Sequence, residues 1–465
     1  MRLLVLATTV FAALCTAQSS EDVPTKNLSA PSLDFSAVAQ WRSVDQAHVV
    51  PPEDHKPSNP SHVRGGKGNK PRPPHYHHEA KKQHHSIRAP SESGAKHIQY
   101  AIRSGKIQSR GVNLGGWLVG EHWMTAWADI WRGLTDEQAN GGEQVAFRNI
   151  PRDDAIGRYK WHRDTFITEE EIAKIAAAGL NTVRVPIGYW IIGYDNFDSS
   201  HKRQWENFAP GGLDYIDRLI RDWAKKHNVA VMLSMHGAKG SQNGADHSAP
   251  EQPGASFWSW YSENVASTLD AVKFLANRYK NEDAFLGIGL LNEPSGSTSR
   301  DVLYKYYQDA YQAIRIDGQN DCVLTIAPLL WEQSPWFMTE VLPHSTNVWV
   351  EWHRYFVWGY ENASPDYILN GAMDEYRRDV EIWKQRSNKR MFIGEFSLAT
   401  AGKFNDMDST KEFMRRQLRV LLDNVDGGWT FWSWRIYGDE WGVNGWSLRS
   451  LLQNGVWPVM EPQQY

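Results

Sequence analysis

Eight short apolar segments, rich in Val, Ile and Trp, alternate with amphipathic stretches from Ile98 onward: 111–117, 182–186, 229–235, 286–291, 323–327, 348–353, 391–395 and 428–434. Segments of this length that are apolar nearly throughout read as strands buried on both faces. Helical signals lie between them. Thr168, followed three residues later by Glu171, predicts a capping box, and Ile172, Ile175, Ala176 and Gly179 carry a helical stripe to a glycine stop. Residues 213–226, 265–279, 299–316 and 410–423 read the same way. Strands alternating with helices predict a parallel sheet, and eight such units predict a closed (β/α)8 TIM barrel of the α/β class. Residues 121–160, which hold Trp123, Trp127 and Trp131, are predicted to fold over the barrel mouth.

The N-terminal part follows other rules. Arg2, the apolar run 3–14 and the small residues Cys15-Thr16-Ala17 predict a signal peptide over 1–17. The run is too short to span a bilayer comfortably, and no later stretch reaches the length of a membrane span. The expected location is secreted, extracellular or cell-wall, with sequons at Asn27 and Asn362 open to glycans. Residues 18–95 are predicted to be a disordered tail rich in Pro, His and Lys, in which His75, His77, His78, His84 and His85 surround Lys81 and Lys82. Residues 96–465 form the barrel domain. Over 18–100 there are 11 basic and 8 acidic residues, whereas the whole chain carries −4, so a mildly cationic tail precedes an acidic body. That balance excludes nucleic-acid binding as the main task. Once a signal is removed only Cys322 remains, so no internal disulfide forms and core burial must hold the fold. Cys322 itself reads as a small buried hydrophobe.

Barrel chemistry sits at the C-terminal ends of strands. There the sequence places Arg184, His236, Asn292-Glu293-Pro294, His353-Arg354-Tyr355 and Glu395, with Trp432 and Trp434 on one face of the eighth strand if the alternation holds. Any one of these alone is more often a rim contact. Glu293 and Glu395 each close an apolar strand on opposite sides of an eight-membered ring. A facing pair of carboxyls is what glycoside hydrolysis requires, one as proton donor and one at the anomeric carbon.

The motifs Arg110-Gly111-Val112-Asn113-Leu114-Gly115-Gly116-Trp117, Asn181-Thr182-Val183-Arg184-Val185-Pro186, His236-Gly237-Ala238, Gly240-Ser241-Gln242-Asn243-Gly244, Leu291-Asn292-Glu293-Pro294, Gly394-Glu395-Phe396 and Phe431-Trp432-Ser433-Trp434 resemble glycoside hydrolase family 5, closest to its fungal-type exo-β-1,3-glucanase branch. The resemblance spans roughly 98–458. It implies a retaining mechanism with Glu293 as proton donor and base and Glu395 as nucleophile. Arg184 and Tyr355 are then expected to keep Glu395 charged, and that charge to keep a proton on Glu293. Asn292, His236 and His353 are implied substrate contacts, Trp434 the aromatic floor, and Glu121 and Asp246 the acids that hold the non-reducing sugar. The chain departs from the branch in reading Gly244-Ala245-Asp246-His247-Ser248-Ala249 where the pattern is Gly-Phe-Asp-Asn-Ser-Gly, and in Trp358 where it has phenylalanine. The Trp-rich insertion is expected to replace the aromatic clamp lost at Ala245.

These readings imply a secreted glucan exo-1,3-β-glucosidase that releases glucose from the non-reducing end of β-1,3-glucan. It would need no metal or cofactor and would act as a monomer, with a β-glucan polysaccharide or oligosaccharide as its partner. The same fold also suits a β-1,6-glucanase, an endo-β-1,4-glucanase or a glucan transglycosylase. A rival of another class is a catalytically silent wall-glucan-binding protein.

Overall fold

The structure is a computed structural model that describes residues 96–198 and 203–465. The predicted signal peptide, tail and Asn27 sequon lie outside the described residues. Strands β1 (Ser109–Asn113), β2 (Thr182–Gly188), β3 (Ala230–Gly237), β4 (Phe285–Gly289), β5 (Val323–Ile326), β6 (Val348–Phe356), β7 (Arg390–Thr400) and β8 (Gly428–Phe431) form a closed barrel in sequence order. Every neighbouring pair is parallel, and β1 pairs with β8 through Ser109↔Gly428 to close the ring. The expected (β/α)8 barrel is the observed one.

Period-two alternation along the strands sorts the side chains. Val231, Leu233 and Met235 of β3, Val350 and Trp352 of β6, and Met391 and Ile393 of β7 belong to the large core shared with the surrounding helices. Their neighbours point the other way. Ala230, Met232, Leu286, Val323, Trp349 and Phe392 join Ile98, Ile102 and Ile107, so the helix Ile98–Ser104 plugs the N-terminal end of the barrel with an apolar layer. Each such large side chain stabilises by about 1.5–3 kcal/mol through burial. Two residues further along, the same face turns polar, with Ser234 on β3, Thr325 on β5 and Glu351 on β6 all buried. Two further still stand His236 and His353. The alternation that fills the barrel floor thus delivers polar side chains to its mouth.

Three local expectations are corrected. β1 stops at Asn113 and β8 at Phe431, short of Trp117 and Trp434. Alternation therefore does not extend to Trp432 and Trp434, which do not share a face. Thr168 does stand before the helix Glu169–Ala177, but its side chain makes no capping bond. The Glu171 carboxylate instead accepts from the Trp434 indole at 2.5 Å. The 121–160 insertion builds a small core of its own, in which Ile130, Trp131, Phe147, Ile150 and Tyr159 pack together. Trp131 is buried there and donates to Thr125, so it serves no clamp.

Cys322 is buried, and burial pushes its thiol up to about 12, far from a reactive thiolate. Among the described residues no helix is long and apolar enough to cross a membrane. Asn362 of the second sequon is exposed in the loop after β6.

Candidate active site

Six strands, β1 to β4, β6 and β7, supply one buried polar cluster from their own residues or those just after them. Arg184, from the middle of β2, lies at its centre with a fully buried guanidinium. Its Nη1 donates to Glu395 Oε1 at 3.0 Å and to Asn113 Oδ1 at 2.8 Å, and its Nη2 donates to Asn292 Oδ1 at 2.7 Å. Nη2 also pairs with Glu351 Oε1 at 2.6 Å. A planar fork with five donors suits such a hub, because several acceptors are satisfied from one rigid group.

The opposite oxygen of Glu395, Oε2, accepts from the Tyr355 hydroxyl at 2.8 Å. Glu395 comes from β7 and is preceded by Gly394, where a Cβ would sit 2.0 Å from Glu351 Oε1. Only glycine lets the Glu351 carboxylate pass behind the strand at this position. Glu293 follows β4 in the left-handed region, with φ +45°. A non-glycine residue there costs about 1–2 kcal/mol, a strain that clusters at functional sites. Its main-chain oxygen accepts from Asn243 Nδ2 at 3.2 Å, which helps to hold that conformation.

His353 links the carboxylates. Its Nδ1 lies 2.7 Å from Glu293 Oε1 and 3.5 Å from Glu395 Oε2, while its Nε2 lies 3.2 Å from Glu351 Oε1. Burial alone would lower its pKa. The negative charge of Glu395, with the bonds to Glu293 and Glu351, outweighs burial and pushes it up to about 10. His353 is thus an imidazolium that donates from both nitrogens. Burial would raise the Glu351 pKa, but the Arg184 charge and the His353 and Thr325 bonds hold it down at about 2. His236 goes the other way. Burial and the positive charges of Arg184, His247 and His353 keep it well below the usual imidazole range, and its Nε2 faces Arg184 at 3.1 Å. Its Nδ1 has no protein partner among the described residues, which leaves a donor for a ligand.

An oxygen of Glu293, Nδ1 of His353 and an oxygen of Glu395 all lie within 4.8 Å of one another. That spacing could also suit a cation. His353 Nδ1 instead stands against both carboxylates, 2.7 Å from Glu293 and 3.5 Å from Glu395.

The aromatic side of the site differs from expectation. Trp434 is 2% exposed, packs in the main core and bonds to Glu171, so it does not reach the pocket. Trp432 takes that place, its ring parallel to His236 with centroids 5.8 Å apart. Next to Glu395, Tyr355 meets Trp358 and Trp446 at 5.5 and 5.6 Å, and Trp446 meets Trp123 at 5.3 Å. The Trp123 indole donates to Glu121 Oε2 at 2.9 Å, so the aromatic wall runs from Tyr355 back to Glu121. Asp246 opens a short turn, Asp246–Ser248, against which the insertion packs closely. A Cβ at Gly142 would lie 2.6 Å from the Asp246 carbonyl oxygen. Trp127 leans on Trp441 at 4.8 Å, both about half exposed.

The structure therefore brings together Glu293, Glu395, Arg184, His236, Asn292, His353 and Tyr355. It places Glu121 in the insertion and Asp246 in a turn packed against it, and sends Trp434 elsewhere. Sequence reasoning passed over Glu351, and it named Asn113 and Trp432 in motifs without giving either a role at the site. Glu351 did leave a signal, since a lone acid in Val348-Trp349-Val350-Glu351-Trp352 alternates with His353 and Tyr355.

Residues 139–438 match the model of the cellulase family, glycosyl hydrolase family 5. The chain belongs to glycosyl hydrolase family 5. It is 37% identical over 406 residues to a glucan 1,3-beta-glucosidase of Blumeria graminis, covering 77% of this chain and 89% of that one. It is 30% identical over 401 residues to a probable glucan 1,3-beta-glucosidase A of Aspergillus terreus, covering 77% and 89%. Among solved structures, the rutinosidase from Aspergillus niger superposes with a TM-score of 0.63 at 17% identity, over 76% of this chain and 99% of that one. That likeness concerns the fold alone. The family 5 chain is a glycoside hydrolase, and the cluster at its barrel mouth is its candidate active site.

Proposed function

We propose that this family 5 enzyme is a retaining, exo-acting glucan 1,3-β-glucosidase. The observation that carries the chemistry is the approach of Glu293 and Glu395, whose nearest oxygens lie within 4.8 Å across the barrel mouth. Retaining glycosidases keep their carboxyl groups about 5–5.5 Å apart, whereas inverting ones need about 6.5–9.5 Å to admit a water. Glu395 attacks the anomeric carbon while Glu293 gives a proton to the departing oxygen. The ester on Glu395 is then opened by a water whose proton goes to Glu293. Arg184 and Tyr355 orient the two oxygens of Glu395, and Asn292, held by Arg184, is placed for the 2-hydroxyl. Trp432, rather than Trp434, forms the floor under the sugar ring, and the free Nδ1 donor of His236 meets a hydroxyl.

The 1,3-linkage is supported by the relatives named as glucan 1,3-beta-glucosidases. Exo action is supported by the insertion, which packs against the Asp246 turn and carries Glu121 and Trp123 at one end of the aromatic wall. A pocket closed at one end admits only a chain terminus. The apolar run at 3–14 supports export by a signal peptide.

The test compares wild type with Glu395→Gln on laminarin. Wild type should release glucose as its first product, and the variant should bind laminarin without turnover. Longer oligosaccharides as first products would contradict exo action, and undiminished hydrolysis by the variant would contradict the assigned nucleophile.

A further inference from the structure

The loops around Glu293 are tied to it and to one another. The segment that follows it, 294–299, is stitched to the loop after β3. Ser297 N–H donates to Ser256 Oγ at 2.8 Å, Thr298 Oγ1 donates to the Gln242 carbonyl at 2.7 Å, and Ser299 N–H donates to Ser259 Oγ at 3.0 Å. The loop after β5 is held at two points. Leu330 N–H donates to the Pro294 carbonyl at 2.9 Å, and Gln333 Oε1 accepts from the backbone N–H of His353. One anchor is the residue next to Glu293, and the other belongs to the catalytic cluster itself.

Between these anchors stands Trp331, in the short turn Leu330–Glu332. Its neighbour Glu332 is buried and pairs with Arg300, whereas Trp331 is 52% exposed. Among the described residues no other ring and no cation packs on its indole. Trp260 is 62% exposed and is tied to the same segment, its indole N–H donating to Ser297 Oγ at 3.0 Å. Trp336, farther along the β5 loop, differs, because the Arg386 guanidinium already lies 4.5 Å over its ring. Two indoles left half in water, on backbone tied this firmly, offer broad apolar surface at little cost in conformational freedom.

We propose that Trp331 and Trp260 form a leaving-side platform that holds glucose units of a β-glucan chain beyond the scissile bond. Glu293 protonates the departing oxygen, so the departing chain runs out past the residues tied to the segment after Glu293. The C–H faces of β-linked glucose rings are apolar and match an indole, while their hydroxyls point sideways into water. The proposal rests on the reading of Glu293 as the acid and deepens it by naming the substrate, a chain of several glucose units rather than a disaccharide.

The test compares substrates with and without a leaving chain. kcat/KM is measured for β-glucosyl fluoride, whose fluoride carries no sugar and departs with little help from an acid, and for laminari-oligosaccharides from the disaccharide to the pentasaccharide. Wild type, Trp331→Ala, Trp331→Phe, Trp260→Ala and Glu293→Gln are compared. Wild-type kcat/KM should rise along the series. For each alanine variant the penalty on laminaripentaose should exceed that on glucosyl fluoride by about tenfold, the loss of one stacked sugar. Trp331→Phe, which keeps a ring, should recover part of the difference. A wild-type kcat/KM that does not rise with chain length would overturn the platform, as would an alanine variant penalised equally on both substrates. If Trp331→Ala does not fold, Trp331→Phe decides by the same comparison. The reading beneath fails separately: Glu293→Gln should lose far more on laminaripentaose than on glucosyl fluoride, and equal losses there would defeat Glu293 as the acid.

Discussion

Arg184 and Glu351 form an ion pair at 2.6 Å with both side chains sealed from solvent beneath the catalytic cluster. The pair sets the height of the site. Arg184 meets Glu351 and Asn292 through Nη2 while Nη1 serves Glu395, so one guanidinium joins the buried carboxylate below to the one at the mouth. Burying two charges is costly, and the further bonds from His353 and Thr325 to Glu351 help to offset it.

Removing the Glu351 charge should therefore unfold more than it inactivates. Glu351→Gln is expected to lose about 3–5 kcal/mol near neutral pH, the usual cost of leaving one partner of a buried pair uncompensated. The folded pKa of Glu351 is about 2 against an ordinary 4.5. A depressed carboxyl stabilises fully above the ordinary value and loses that contribution as pH falls through the folded one. Urea unfolding should then show the difference between wild type and variant narrowing as pH drops from 4.5 toward about 2. A difference independent of pH would contradict the pairing.

Glu143 behaves in the opposite sense. It lies buried in the insertion, accepts from Gly120 N–H at 2.8 Å and sits 3.5 Å from Arg163. Burial outweighs Arg163 and raises its pKa from 4.5 to about 7. Its stabilisation is present below 4.5 and is lost as pH rises through 7, on the order of 3 kcal/mol in all. Glu143→Gln keeps the acceptor and removes the titration. Its Tm relative to wild type should rise by a few degrees between about pH 5 and about pH 9. Thermal unfolding at the two pH values checks this, and a constant offset would contradict it.

The two tryptophans of Phe431-Trp432-Ser433-Trp434 should separate function from stability. Trp434→Ala empties a core site and is expected to cost about 3–5 kcal/mol. Trp432→Ala, also at a buried position, is expected to lower kcat/KM on laminarin by a factor on the order of 10² when compared at equal folded fraction, a loss that Trp434→Ala should not show. The reverse assignment would restore Trp434 as the floor.

This last pair shows where sequence reasoning reaches and where it stops. The eight strands were legible because residues buried on both faces must be apolar nearly throughout, and Glu293 and Glu395 stood out against that background. Arg184, His236 and His353 were legible as polar interruptions at strand ends. Glu351 interrupts its strand in the same way but lies one layer down, where end-of-strand reasoning does not look. Trp434 was misplaced because alternation holds only while the chain stays in the sheet, and β8 ends at Phe431. The setting of Trp331 between Pro294 and His353 depends on how the loop after β5 folds back, and no periodicity encodes that.

A double displacement through Glu395, with Glu293 as acid and base, fixes the configuration of the released sugar. Proton NMR of the first glucose released from laminarin reads it most directly. The β-anomer is expected at the earliest times, followed by slow mutarotation. Initial appearance of the α-anomer would mean a single inverting displacement and would contradict it.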